Sequence, residues 1–298
     1  MKNQLAVSSY SLRQLLGPVR MSMRGPDGRK QAVTWGDQPA TLSLLELPAQ
    51  VRERLGLDAV EICQFHIPEN TDAYLGQLKR ALDGAGVSVV NMPIDVGDIS
   101  DPNQAHREED LAEIESWMRA AAALGSRNVR VNASSPMSQA VAPLETTIAS
   151  YRRLAATARS LGIGLLIENH GGITRDPEVI VRLVESVDGL RTLVDIYNFE
   201  PLMSAGLARF RGEPVPDPDP EPVYRQIARI APYAGLVHAK THEFDAEGRP
   251  LGLDVQRALT IVRDTGYAGP ISIEYEGSKG DPWENTLRTR RIVEQVFA

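Results

Sequence analysis

The chain has 298 residues, of which 42% are hydrophobic and 24% charged, and it carries a formal net charge of −7. That composition fits a globular protein with a large buried core and excludes disorder as the main state, while the acidic balance without a basic run opposes a nucleic-acid surface. No run of 18 apolar residues marks a membrane span, and a lone cysteine, Cys63, leaves no internal disulfide, so a cytoplasmic protein with no membrane contact is expected.

In chain order, short β-rich runs fall at Leu5 to Ser9, Ala59 to Ile62, Val87 to Met92, Asn128 to Asn132, Gly164 to Glu168, Thr192 to Asp195, Leu236 to Ala239 and Ile271 to Glu274. Most are apolar on successive residues, which predicts strands covered on both faces. After the first run, Leu15 to Pro39 is too long for an ordinary connection and carries Arg20, Arg24, Arg29 and Lys30; it reads as a lid or partner surface, or else as a passive insertion. Cys63 follows Val60-Glu61-Ile62, so a buried thiol is expected. Segments such as Glu109 to Leu124 and Ile148 to Leu161 repeat apolar residues three and four apart, as amphipathic helices do. Asp176-Pro177 and Asp281-Pro282 read as helix N-caps with proline at N1, and Glu284 stands at N3 of the second. Gly86, Gly162 and Gly266 close helices just before a strand. Asn198 to Pro222 is a second long connection, with prolines at 214, 216, 218, 220 and 222. Eight βα units with no composition break predict an α/β fold, a single (β/α)8 TIM barrel spanning 1–298 with long loops at about 15–39 and 198–222.

Four successive strands end in, or on, a residue able to ligate a metal: Glu168, Asp195, His238 and Glu274. In such a barrel the C-terminal strand ends share one pocket, so these side chains are predicted to converge there. Carboxylates at the end of apolar strands are costly unless paired or metal-bound, and a set of three carboxylates and one imidazole suits one divalent ion, Mn²⁺ first, with Mg²⁺, Co²⁺ or Zn²⁺ as alternatives. Lys240, two residues past His238, is turned the same way by strand alternation and reads as a substrate contact or a solvated lysine. His66 and His170 read as substrate contacts or as structural and orienting groups, and Glu276 and His242 as rim residues. Trp117 and Trp283 fall on helices, where packing is their expected role. No dinucleotide or P-loop fingerprint, H-E-x-x-H or G-x-S-x-G occurs, so no cofactor beyond the metal is indicated.

The segments Leu165-Leu166-Ile167-Glu168-Asn169-His170-Gly171-Gly172, Val194-Asp195-Ile196-Tyr197-Asn198-Phe199, Val237-His238-Ala239-Lys240-Thr241 and Ser272-Ile273-Glu274-Tyr275-Glu276-Gly277 resemble the sugar phosphate isomerase/epimerase group of the xylose isomerase-like barrel superfamily. The resemblance spans nearly the whole chain and implies that Glu168, Asp195, His238 and Glu274 are the metal ligands. Asn198 stands where ketose 3-epimerases of the group carry a substrate-binding His, and Phe244 where they carry an Arg; Asn198 therefore joins His66, His170 and Lys240 as a substrate-binding candidate. The expected activity is isomerisation or epimerisation of a small ketose, keto-sugar or sugar derivative through an enediolate, with Glu168 and Glu274 exchanging the proton. The alternatives are a metal-dependent lyase or dehydratase acting on a 3-oxo-glycoside or an inosose, and a non-catalytic sugar-binding subunit. A homo-oligomer or a small partner subunit is compatible with each reading.

Overall fold

All eight predicted runs are strands of one closed, all-parallel ring in the computed structural model, which describes residues 3–25, 27–135, 142–211, 213 and 215–298. The ring strands are β1 (Leu5–Ser8), β4 (Ala59–Glu61), β5 (Ser88–Ile94), β6 (Asn128–Val131), β7 (Gly164–Glu168), β8 (Leu190–Asp195), β9 (Ala234–Thr241) and β10 (Ile271–Tyr275). The two remaining strands, β2 (Val19–Arg24) and β3 (Lys30–Trp35), pair with each other outside the ring. Each ring strand pairs with its sequence neighbour in the ring, and β1 closes the circle by pairing with both β10 and β4. Strand ends differ from the sequence reading by two residues at most.

The ring is filled from within by Ala6, Ala59, Val90, Leu166, Leu193 and Leu236. Side chains one position away in register point outward, so Val60, Ile167, Val194, Val237 and Ile273 pack against helix residues such as Leu78, Met118, Leu154, Leu183 and Leu259. This double coverage explains why the strands read as apolar runs rather than as alternation. Two residues beyond Ala59, Leu166, Leu193 and Leu236, on the same inward side, stand Glu61, Glu168, Asp195 and His238. Each column thus passes from an apolar plug to a charged mouth within one step of the pleat. Helix punctuation follows the sequence reading: the Asp176 side chain accepts from the backbone N–H of Glu178, and that of Asp281 from those of Trp283 and Glu284. Trp283 is buried and Trp117 packs half-buried on the core. Among the described residues no helix is long and apolar enough to cross a membrane.

The two long connections are not plain loops. Residues 15–39 hold the antiparallel hairpin β2–β3, with Arg24 opposite Lys30 and Val19 opposite Trp35. Directly opposed residues share a face, so Val19, Met21, Met23 and Trp35 lie on one side and Arg24 and Lys30 on the other. The basic residues are a clasp: Arg24 Nη2 lies 2.7 Å and Lys30 Nζ 2.9 Å from Asp110 Oδ1, and Arg24 Nη1 lies 2.8 Å from Glu109 Oε2. Asp110 is buried on helix Gln104–Ala123 and also accepts from the backbone N–H of Asp98 at 2.8 Å. The second connection carries helix Leu202–Phe210 before helix Glu221–Ile230; in its proline series, Pro214 lies outside the described residues.

Because the clasp joins a hairpin to a helix without contributing to the ring, replacing Asp110 with Asn should free the hairpin locally. Amide exchange over 19–35 is expected to quicken by about tenfold or more, with a global cost of no more than about 2 kcal/mol, since Glu109 and Glu113 still hold the two cations. Exchange mass spectrometry with a thermal melt checks both, and an unchanged hairpin would show that apolar contacts alone seat it.

Candidate metal centre

Glu168, Asp195, His238 and Glu274 meet at the C-terminal mouth of the ring, and all four are buried. His238 is the hub. Its Nδ1 lies 3.4 Å from Glu274 Oε2, 3.7 Å from Asp195 Oδ2 and 3.9 Å from Glu168 Oε1. With Glu61 added, five side chains form two trios that share His238, Glu168–Asp195–His238 and Glu61–His238–Glu274, and within each the candidate ligand atoms lie within 4.8 Å of one another.

Glu61, which the sequence reading passed over, joins through the far side of His238. Its carboxylate accepts from His238 Nε2 at 2.8 and 3.0 Å, and Asn91 Nδ2 donates to it at 2.8 Å. A carboxylate partner requires the proton on Nε2 when the ring is neutral, which turns the Nδ1 lone pair toward the other three carboxylates. Burial alone would raise the Glu61 carboxyl, but the neighbouring imidazole, with Asn91 and Arg130, holds it below the usual range. The missed signal was a Glu inside a buried strand, the same signal that singled out Glu168; reading the strand as ending on Ile62 hid it.

Arg130, on β6, was missed for a similar reason. Its Nε lies 2.8 Å from Glu168 Oε2, and its Nη atoms grip Asp95, which also accepts from Asn132 Nδ2 at 3.0 Å. Burial raises the Glu168 carboxyl, and the nearby Arg130, His170 and His238 reverse this only in part, so it stays above the ordinary value. Asp195 goes the other way: burial is outweighed by Lys240 and His238, and its carboxyl is held well below the usual range. Glu274 also lies low, because His238 and Lys240 overcome its burial.

Three buried polar atoms in this cluster, Glu168 Oε2, Asp195 Oδ2 and His238 Nδ1, make no hydrogen bond of regular geometry; the two oxygens meet the cations of Arg130 and Lys240, at 2.8 and 3.3 Å, and the nitrogen meets only carboxylates. Asp195 Oδ1, by contrast, accepts from the backbone N–H groups of Tyr197 and Asn198 at 2.7 and 3.2 Å. Carboxylate oxygens gathered around an imidazole nitrogen whose opposite nitrogen is engaged by Glu61 fit a cation in chemistry as well as in position.

The other candidates divide. Lys240 is buried, with Nζ 2.8 Å from Glu276 Oε2, 3.0 Å from Asn198 Oδ1 and 3.3 Å from Asp195 Oδ2. Burial would lower its ammonium, but Asp195, Glu276 and Glu274 keep it charged. Asn198 also donates through Nδ2 to Glu168 Oε1 at 3.1 Å, tying that carboxylate to the lysine. His170 borders the same cavity with its Nδ1 buried and unpartnered. Gly172, two residues on, has a φ of 54°, and a Cβ there would sit 2.0 Å from Ser134 Oγ; the glycine admits this chain's own neighbouring loop rather than a ligand. His66 is not among the residues bordering the cavity. Its Nδ1 pairs with Ser9 Oγ at 2.9 Å, and burial followed by the field of Arg13 pushes its pKa down to about 3. Cys63 is buried as expected, and burial pushes its thiol up.

The cavity above this floor has a volume of about 950 Å³ and is bounded by Glu168, His170, His238, Lys240, Glu274 and the hairpin. Of segment 199–222, none of the described residues borders it. A second hollow of about 430 Å³, lined by Gln4, Asp58 and Ser88, lies at the opposite, N-terminal end of the strands, the end that serves stability in such barrels.

Comparison with solved structures gives the same fold. A xylose isomerase-like TIM barrel protein from Mycobacterium smegmatis, in complex with magnesium, is 19% identical, with 99% of this chain and 98% of that one covered at a TM-score of 0.63. A 3-keto-D-glucoside 4-epimerase from E. coli is 17% identical over 99% and 100% at 0.62, and an L-ribulose 3-epimerase 16% identical over 99% and 95% at 0.67. No curated protein matches the chain. The family model described as xylose isomerase-like TIM barrel matches residues 49–293, which covers β4 through β10 and the buried cluster of carboxylates around His238. With that match the ring and its charged mouth find their place: the chain belongs to the xylose isomerase-like TIM barrel family.

Proposed function

We propose that the protein is a divalent-metal-dependent isomerase or epimerase of a small ketose, keto-sugar or sugar derivative. The observation that carries the reading is the buried gathering of Glu168, Asp195 and Glu274 around His238 Nδ1, at 3.9, 3.7 and 3.4 Å, at the mouth of the barrel. Two structural relatives named for epimerisation of keto-sugars, and one holding magnesium, support it. A bound Mn²⁺, or Mg²⁺, Co²⁺ or Zn²⁺, supplies Lewis acidity that polarises a carbonyl oxygen and its neighbouring hydroxyl.

The chain's own groups would do the rest. Glu168, its carboxyl raised by burial, is suited to take the proton from the carbon next to the carbonyl, and Glu274 faces it from β10 to return one. Return to the opposite face epimerises; return to the adjacent carbon isomerises. Arg130 fixes the Glu168 carboxylate, and Asn198 bridges it to Lys240. The charged Lys240 Nζ stands where it can stabilise negative charge on an enediolate oxygen. The lyase alternative draws on the same groups: if the carbon β to the carbonyl bears a leaving group, the enediolate expels it and Lys240 can protonate it. Asn198, in place of a His, favours a substrate other than a free ketose.

Incubation with candidate ketoses and 3-keto-glycosides in D₂O should place deuterium at the α-carbon, with epimer, isomer or free aglycone naming the outcome; a binding subunit would exchange none. Glu168→Gln and Glu274→Gln should lose turnover by about 10²- to 10⁴-fold even at saturating metal, because proton transfer is gone. Asp195→Asn should recover with excess metal, and recovery of all three would remove both glutamates from the proton path. Glu61→Gln, which weakens the hold on the His238 Nε2–H, should lower metal affinity by about 10- to 100-fold in calorimetry. An unchanged affinity would reduce Glu61 to packing.

A further inference from the structure

The cavity has two unlike halves. Its floor is the charged cluster, whereas its upper wall is the hairpin, which presents Val19, Met21, Met23 and Trp35 from one face and Ser22, Arg24 and Lys30 from the other, with Phe65 and Val96 also bordering the space. Trp35 is 51% exposed, one of two large apolar side chains among the described residues left so open. Apolar surface of this kind gains most from an extended apolar partner, and a pyranose, which offers one narrow C–H face between its hydroxyls, covers only part of it. Met side chains adapt to flat rings through their thioethers. The cavity volume, about 950 Å³, is near the upper end of the range for drug-sized ligands, roughly 300–1,000 Å³, so a bare six-carbon sugar would leave the hairpin wall wet.

A phosphorylated sugar fits less well. Arg24 and Lys30 are engaged by Asp110, Arg130 by Asp95 and Glu168, and Lys240 by Glu276. Arg13 donates to the carbonyls of Tyr275, Glu276 and Gly277. Among the described residues bordering the cavity, every Arg and Lys is thus already paired, and a phosphate would have to displace one of these partners.

We propose that the substrate is a keto-sugar bearing an apolar, planar glycosidic substituent, an aryl group, which lies on the Met21–Met23–Trp35 face while the sugar meets the floor. The inference rests on the isomerase or epimerase reading for its sugar end. It concerns the hairpin for the other end, which makes Met21, Met23 and Trp35 specificity-determining residues rather than parts of the proton path.

The test uses the metal-loaded full chain and three compounds sharing one head: 3-keto-glucose, its 6-phosphate and phenyl 3-keto-glucoside. The aryl compound should show kcat/KM about tenfold or more above the other two, the gain expected from burying a ring. Trp35→Ala with Met23→Ala should narrow that ratio toward unity through KM, and Trp35→Phe should retain most of it. Equal or better use of the free or phosphorylated sugar would overturn the proposal, as would hairpin variants that weaken all three compounds alike. If no compound exchanges deuterium, the isomerase reading falls instead, and calorimetric titration decides the hairpin site by itself: aryl binding no tighter than that of the bare sugar overturns it.

Discussion

Uncompensated negative charge at the mouth of the barrel is the constraint on which the rest of the structure turns. Glu61, Asp95, Glu168, Asp195, Glu274 and Glu276 crowd around Arg130 and Lys240, most of them out of contact with water. Carboxylates transferred from water into such a site are strongly penalised unless matched by charge and hydrogen bonds. The protein matches part of the excess with an arginine that bridges two acids and a lysine that touches three. What remains unmatched lies at one place, around His238 Nδ1, where a cation is the simplest complement.

Neighbouring carboxylates are driven in opposite directions within this cluster. Glu168 is raised because its burial exceeds the help of Arg130, whereas Asp195 and Glu274 are lowered because Lys240 and His238 stand closer to them. Groups of one chemical type are thereby held in different electrostatic environments within one cluster. The division depends on Arg130 and Lys240 sitting on different strands, so the cylinder itself separates the two environments.

The hairpin adds a second asymmetry. It borders the cavity with Val19, Met21, Met23 and Trp35, while Arg24 and Lys30, which border the same space, are tied to a buried aspartate. The clasp on Asp110 holds Val19, Met21 and Met23 over the charged floor and leaves the mouth bounded by surfaces of opposite character.

Much of this was legible in the chain. Apolar runs flanked on both sides by helices can be little other than a parallel sheet, and eight of them close; a carboxylate or imidazole at the end of such a run must face the shared mouth, which singled out Glu168, Asp195, His238 and Glu274. Alternation in Val19–Arg24 and Lys30–Trp35 also announced a hairpin, though the basic residues drew attention to a surface instead. Glu61 and Arg130 carried the same signal of charge within an apolar strand, yet their roles depend on partners 177 and 38 residues away. Local sequence determines which way a side chain points from its own strand, since the pleat has a period of two residues. Which side chain it then meets is decided by the closure of the ring, because contacts across a barrel join residues that no spacing along the chain relates.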